Sequence, residues 1–443
     1  MHLYGNLSEV ASIGVLLLFS LYLGLYLALF GLLFSIVRRN WSVRAALLSS
    51  PLLWVAVEFA RDRVTGFPWD LLGYTQIDNL TLVRIAPWTG VFGLSLVIAT
   101  VNMLWTMPLA KLGKTAIWLV LSLAGILTAT ATWLQFRGPM PPAASATETA
   151  VLLQENLSVV AGAQQESRET MLASFARLSQ HPDFPRPAGE VGTPNLVVWP
   201  ESPASFLDSD QAYRSFMEQL ARSSSAPVMG DDLSFAGRNS DGSYSLYNSA
   251  TFFREDGSYG GRYDKIHLVP FGEYVPYKPL FFFAGHLLDG LPFVPGTQRV
   301  LFDDHDRKYG TFICYESIFG DEIRQFVGEG AQVLVNLSDD GWYGDTSAPW
   351  QHLDMVRMRA IENNRWVLRS TNTGVTASID PRGRIVDQMP RHVRGALLAK
   401  FEFINGTTFY TRHGDWIAWI CSVLTAALIG GSLLRSRKQA TPQ

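Results

Sequence analysis

Residues 309–316 read YGTFICYE, an apolar strand-like run that delivers a thiol, Cys314, near its end. Two segments upstream carry further chemically useful groups. NLVVWPES (195–202) presents Glu201, and YDKIHLVPFGEYVP (263–276) presents Lys265. A cysteine at its ordinary pKa is only a few per cent thiolate at neutral pH, so a working thiol needs a base or a positive field. A carboxylate that takes the thiol proton and an amine that holds a tetrahedral oxyanion would meet that need. Their order along the chain decides nothing, because such triads are defined by geometry. Taken singly, the three also read as a buried structural thiol, a solvated turn carboxylate and a surface lysine.

Outward from these runs, short β-rich segments alternate with helical ones. AVLLQEN (150–156), APVMGD (226–231), SATFFRE (249–255), AQVLVNLSDD (331–340), WVLRSTN (366–372) and VTASID (375–380) read as further strands. Glu166–Leu178, Gln211–Ser223 and Trp350–Asn364 have helical composition and periodicity. Runs such as QVLVNL are apolar on both faces, as expected of strands covered on each side. The segment 146–412 is therefore expected to be an α/β sandwich with a sizeable core. Glycines at 257, 341 and 383 punctuate it.

The whole chain has 443 residues, 48% hydrophobic and 17% charged, and a net charge of −3. That balance, without a basic aromatic stripe, argues against a nucleic-acid partner. Of its two cysteines, Cys421 lies in a C-terminal apolar run, so Cys314 reads as a free thiol. No HExxH, CxxC, GxSxG or GxGxxG pattern occurs, so no metal or other cofactor is expected. His267 and His352 read as hydrogen-bonded structural residues. Ion pairs with Asp354 and Glu362 account for Arg357, Arg359 and Arg365 as well as phospholipid binding does.

Apolar residues concentrate at the two ends of the chain. Ile13–Val37, Ala45–Ala60, Leu82–Met107, Leu119–Phe136 and Trp416–Leu434 are candidate spans set against the roughly 20 residues a bilayer requires, Ala45–Ala60 being shorter and carrying Glu58 near its end. Residues 1–137 thus read as a transmembrane region and 415–435 as a last span, with GPMPPAASA (138–146) as a linker. Arg38, Arg39 and Arg44, then Lys111 and Lys114, then Arg435, Arg437 and Lys438 fall on one side, which the positive-inside rule makes cytoplasmic. The 146–412 domain and the N-terminus then lie outside the cytoplasm. Arg61 and Arg63 run against the rule and read as lining a site. VTGFPWDLLGYTQIDNL (64–80) reads as a structured outer loop. KPLFFFAGHLLDGLPFVPG (278–296) reads as a lid or membrane-dipping arm, or as a loop on the domain's own core.

The soluble segment resembles the nitrilase superfamily, whose members place a Glu–Lys–Cys triad on an α-β-β-α sandwich. The whole chain resembles the apolipoprotein N-acyltransferase family more closely still. The resemblance is carried by EFARDRVTGFPWDLLGYTQID, VVWPES, YDKIHLVPFGEYVP, ICYES, NLSDDGWYG, PWQHLDMVRMRAIENNRWVLRSTNTGVTASIDPRGRI and a C-terminal span. It implies Glu201 as general base, Lys265 as catalytic lysine and Cys314 as nucleophile. It further implies Glu273 as an additional acid of the site, Tyr315 and Glu316 as residues needed for activity, and Trp342 as an aromatic near the site. The alternatives for these are second-shell support, completion of the turn after the nucleophile, and core packing.

Three departures accompany the resemblance. Five spans stand where the family usually has eight, which implies that about three N-terminal spans are lacking, as from a late start codon. AGAQQ, around Gly162–Gln165, replaces a usual Lys-Trp pair. Asp339-Asp340 replaces a usual Asn-Asp. The resemblance implies a ping-pong acyltransferase of the bacterial inner membrane with its catalytic domain on the periplasmic side. Its donor would be a membrane phospholipid, and its acceptor the amine of a diacylglyceryl-modified apolipoprotein. A membrane-tethered amidase using water, and an inactive lipid-binding relative, are the competing expectations.

Overall fold

The computed structural model describes residues 8–107, scattered positions from 115 to 126, and 146–440 apart from 161–165, 181–193, 202–205, 240–241 and 276–292. Most of the expected span Leu119–Phe136, almost all of the linker, the Gly162–Gln165 stretch and most of the apolar arm lie outside the described residues. The chain divides into two compact units, Met1–Pro142 with Thr408–Gln443, and Ala143–Thr407.

Among the described residues of the first unit, four helices are long and apolar enough to cross a membrane: Glu9–Asn40, Val43–Thr65, Leu82–Thr106 and Trp416–Arg437. At about 1.5 Å per residue each exceeds the roughly 30 Å of a hydrocarbon core. Ser8 and Ser42 cap the first two through their hydroxyls, and Gly66, at φ 63°, ends the second. The 64–80 segment folds back as a compact element. Its Leu71, Tyr74 and Ile77 are buried, the Leu72 amide donates to Glu58 at 2.8 Å, and the Gly73 amide donates to Ser95 at 2.9 Å. A Cβ on Gly73 would collide with the carbonyl oxygen of Val91. Arg61 donates to the carbonyl of Trp69, and Arg63 pairs with Asp415 at 2.7 Å. Both cations are thus engaged inside this unit.

The second unit is a four-layer α-β-β-α sandwich. One sheet contains β1 (Glu148–Gln154), β2 (Leu196–Val198), β3 (Val228–Arg238), β4 (Tyr244–Phe253), β5 (Tyr259–Asp264) and, on the far edge beside β1, β12 (Gly395–Phe401). The other contains β6 (Leu301–Asp304), β7 (Arg307–Ile313), β8 (Val333–Ser338), β9 (Val367–Thr371), β10 (Ala377–Ile379) and β11 (Ile385–Gln388), joined in reverse order. Each has a parallel centre, β1–β2–β3 and β7–β8–β9, flanked by antiparallel strands.

Period-two alternation assigns the layers. Leu152 and Val198 face the other sheet, where Phe252 stacks on Phe302 at 5.1 Å. Val151, Leu153, Val197 and Trp199 face outward onto α1 (Arg168–Ser179) and α2 (Gln211–Ser224). The second helix buries Tyr213, Met217, Leu220 and Ala221, a single helical stripe. On the other side lie α3 (Gly320–Gly328) and α4 (Ala348–Asn363), which contribute Ile323, Phe326, Leu353, Val356 and Ala360 to the core. Gly257 turns β4 into β5 and Gly383 turns β10 into β11, both at positive φ; Gly341 sits in a 3-10 turn after β8.

Candidate active site

The C-terminal ends of parallel strands converge, and there the backbone stops pairing and side chains become available. Glu201 follows β2, Cys314 follows β7, and Asp339 follows β8; Lys265 immediately follows β5. Cys314 has φ 48°, a conformation that costs a β-carbon-bearing residue about 1–2 kcal/mol. His352, from the second turn of α4, braces this point: its Nε2 lies 3.0 Å from the Cys314 carbonyl oxygen and its Nδ1 lies 2.8 Å from Asp340. Arg369 on β9 pairs with Asp340 at 2.6 Å and donates to Asn336. All four side chains of this brace are fully buried.

Lys265 sits between two carboxylates. Its Nζ donates to Glu201 Oε1 at 3.2 Å and to Glu273 Oε1 at 2.9 Å. The Asn248 amide nitrogen, from the middle of β4, donates to the same two oxygens at 2.9 and 3.0 Å. Each remaining carboxylate oxygen takes a backbone amide: Glu201 Oε2 from Asp339 at 2.9 Å, and Glu273 Oε2 from Val269 at 2.7 Å. Burial alone would favour the neutral amine of Lys265, but the flanking Glu201 and Glu273 outweigh it and hold its pKa well above the ordinary value. Burial pushes the Cys314 thiol well up. The Glu201 charge adds to that rise, and Lys265 opposes it. Burial also pushes the Asp339 carboxyl up to about 8, against the hydrogen bond from Gly341 and with help from Glu201.

Glu316 ties the lysine loop to the nucleophile turn. Its Oε1 accepts from the Tyr263 hydroxyl and the Ile266 amide, both at 2.7 Å, and from the His267 amide at 3.2 Å. Its Oε2 accepts from the Ile313 amide at 2.7 Å. Tyr315 is buried, its ring edge-on to Phe319 at 5.4 Å. Trp342 stands 54% exposed on the turn after β8; the neighbouring Tyr343 packs on His352 at 5.9 Å, and burial raises its pKa well above the ordinary value. Glu201, Lys265, Glu273, Cys314 and Glu316 thus form one connected cluster. Asn248, Asp340 and Arg369 belong to it without having been singled out from sequence. Arg369 offered a charge inside a short buried strand, whereas Asn248, in mid-strand among other polar residues, and Asp340, in a turn, offered no comparable signal. Among the described residues one group is close enough to share a metal ion, Glu255 with Asp304 and His305, on the turns that begin β5 and β7 rather than at the site.

A buried Glu–Lys–Cys cluster at strand ends of a four-layer sandwich defines a carbon–nitrogen hydrolase-type domain. The carbon-nitrogen hydrolase family model matches residues 156–403, and the apolipoprotein N-acyltransferase N-terminal domain model matches residues 1–104. An apolipoprotein N-acyltransferase from Geobacter metallireducens is 37% identical over 98% of this chain and 82% of its own length. Those of Nitrosomonas europaea and Methylococcus capsulatus are 31% and 32% identical, over 98% and 100% of this chain and 84% of their own lengths. The chain belongs to the apolipoprotein N-acyltransferase family and is an acyltransferase with membrane-type helices.

Proposed function

We propose that the protein transfers an acyl chain from a membrane phospholipid, through a thioester on Cys314, to the N-terminal amine of a diacylglyceryl-cysteine lipoprotein. Glu201 takes the thiol proton as Sγ attacks the ester carbonyl. Lys265 has three N–H donors, two of them committed to Glu201 and Glu273; the third serves the tetrahedral oxyanion. Collapse breaks the ester C–O bond, and Glu201 returns the proton to the departing lysophospholipid oxygen. The acceptor amine then attacks the thioester, loses a proton to Glu201, and regenerates the thiol. Cys314 is only 5% exposed, which favours aminolysis over hydrolysis by limiting water.

The observation that carries this reading is the ammonium held between two carboxylates beside a buried thiol at a strand end. The four apolar helices suit substrates that reside in a bilayer. The loop charges support a reading in which the catalytic unit lies on the periplasmic side of the inner membrane. We also assign the catalytic domain to 146–412, flanked by spans in 1–137 and 415–435. The test is to incubate the purified chain with phospholipid alone and search Cys314 for a hydroxylamine-labile acyl adduct. The adduct should form, disappear on adding a diacylglyceryl peptide, and be absent in Glu201→Gln. Release of free fatty acid with no adduct and no peptide acylation would favour the hydrolase reading.

A further inference from the structure

Each carboxylate oxygen has two lone-pair sites. On Glu201, Oε1 accepts from both Lys265 and Asn248, which fills it, whereas Oε2 accepts, among the described residues, from the Asp339 amide alone. Glu273 repeats the pattern, with Oε1 filled by the same two donors and Oε2 bonded to the Val269 amide. We infer that Asn248 is a positioning residue that closes Glu201 Oε1 to protonation and directs the Cys314 proton to Oε2. This rests on the reading of Glu201 as the base.

The orientation of the Asn248 amide follows from its surroundings. Reversed, it would set its oxygen against two carboxylate oxygens, so the nitrogen must face them. Its own Oδ1 is buried and, among the described residues, has no hydrogen-bond partner. A buried acceptor left unsatisfied costs about 1–3 kcal/mol. A residue kept at that cost has a use for its two N–H donors. Its main chain acts on the same group, since the Asn248 carbonyl accepts from the Lys265 amide at 2.9 Å. A neutral donor also suits the task. A second cation would weaken the base, and a third carboxylate would repel the other two.

The charged and titratable groups whose electrostatics act with Glu201 are Lys265, Cys314, Asp339 and Tyr343, and Glu273 shares its donors. Removing the Asn248 donor leaves a carboxylate that holds its proton more tightly, so the acid side of the rate profile should move to higher pH.

The experiment is the rate of Cys314 alkylation by iodoacetamide from pH 5 to 10 on the detergent-solubilised full chain. It needs no acyl substrate, so it is independent of the identity of the donor. Asn248→Ala should move the acid limb up by about one pH unit. Asn248→Asp, nearly isosteric, should move it further and so separates charge from packing. Asn248→Gln, which keeps the amide, should recover part of the wild-type profile. Wild-type profiles in Asn248→Ala and Asn248→Asp, or rates lowered equally at every pH, would overturn the assignment. Glu201→Gln separates this from failure of the parent reading: the limb that remains there should be that of the thiol's own ionisation and should no longer respond to Asn248→Ala, whereas a profile unchanged from wild type means that Glu201 is not the base.

Discussion

Glu316→Gln tests whether this carboxylate clamps the site together or acts on substrate. The glutamine oxygen can keep the place of Oε1 and its three donors, but the new NH2 must then face the Ile313 amide, donor against donor. Losing one bond to a charged acceptor costs about 1.5–3 kcal/mol. The three bonds that remain become neutral, at roughly half their former strength. Burial opposes ionisation here, raising the Glu316 carboxyl above its ordinary range, so a neutral amide recovers part of the loss. The net destabilisation should be about 2–3 kcal/mol, an unfolding temperature lower by roughly 4–12 °C for a domain of this size. The Lys265 loop and the Cys314 turn would then shift relative to each other, and a misplacement of about 1 Å costs on the order of 100-fold in rate. Thermal unfolding of the solubilised chain, read beside thioester formation, checks both. Loss of activity with an unchanged unfolding temperature would refute the clamp and place Glu316 on the substrate.

Further outcomes follow from the same geometry. Cys314→Gly should be more stable than Cys314→Ala by about 1 kcal/mol, because φ 48° strains any residue with a Cβ; thermal unfolding showing Ala the more stable would contradict it. Burial opposes charge on Asp340, but Arg369 and His352 outweigh it and hold its carboxyl below the usual range. The stability it contributes is therefore complete above about pH 4 and lost as pH falls below it. The difference in unfolding temperature between wild type and Asp340→Asn should be steady from pH 5 to 7 and shrink toward pH 3. A gap that stays constant to pH 3 would show that charge is not its source. Gly374→Ala should cost about 1–3 kcal/mol and speed alkylation of Cys314, since a Cβ there meets the Asp340 carboxylate that helps to brace the thiol turn.

Glu201 and Cys314 were legible as candidates because each follows an apolar run, and Lys265 stood out through the segment YDKIHLVPFGEYVP that carries the family resemblance. Asn248 was not. In SLYNSATFF it is one polar residue among several, and its role exists only once β4 lies between β3 and β5. The strand that delivers Lys265, YGGRYD, has two glycines and two charges and no alternation, so no local pattern announces it; pairing with β4 from Ser249 to Phe253 imposes it. Likewise β12 pairs with β1 across seven positions although most of the domain separates them in sequence. The four-residue edge strands β6 and β11 are too short to leave a period. His352 read correctly as a hydrogen-bonded structural residue; that its partner is the nucleophile's own carbonyl required the fold.

The electrostatics of the cluster also constrain what kind of nucleophile Cys314 is. A cysteine paired with a lone cation rests as a thiolate, because the positive field offsets burial. Here the one ammonium at the site among the described residues is shared by two carboxylates, and burial, with the Glu201 charge, holds the pKa of Cys314 well above its ordinary value. The resting group is therefore a thiol, and the charge on sulfur arises only as the proton leaves for an acceptor within the site. Such a thiol is shielded from oxidants and stray electrophiles, which attack the thiolate. It also makes the reaction depend on the base rather than on bulk pH. If Glu201 is the base, as proposed, that dependence makes its lone pairs, and the donors that fill them, matter as much as the identity of the proposed triad.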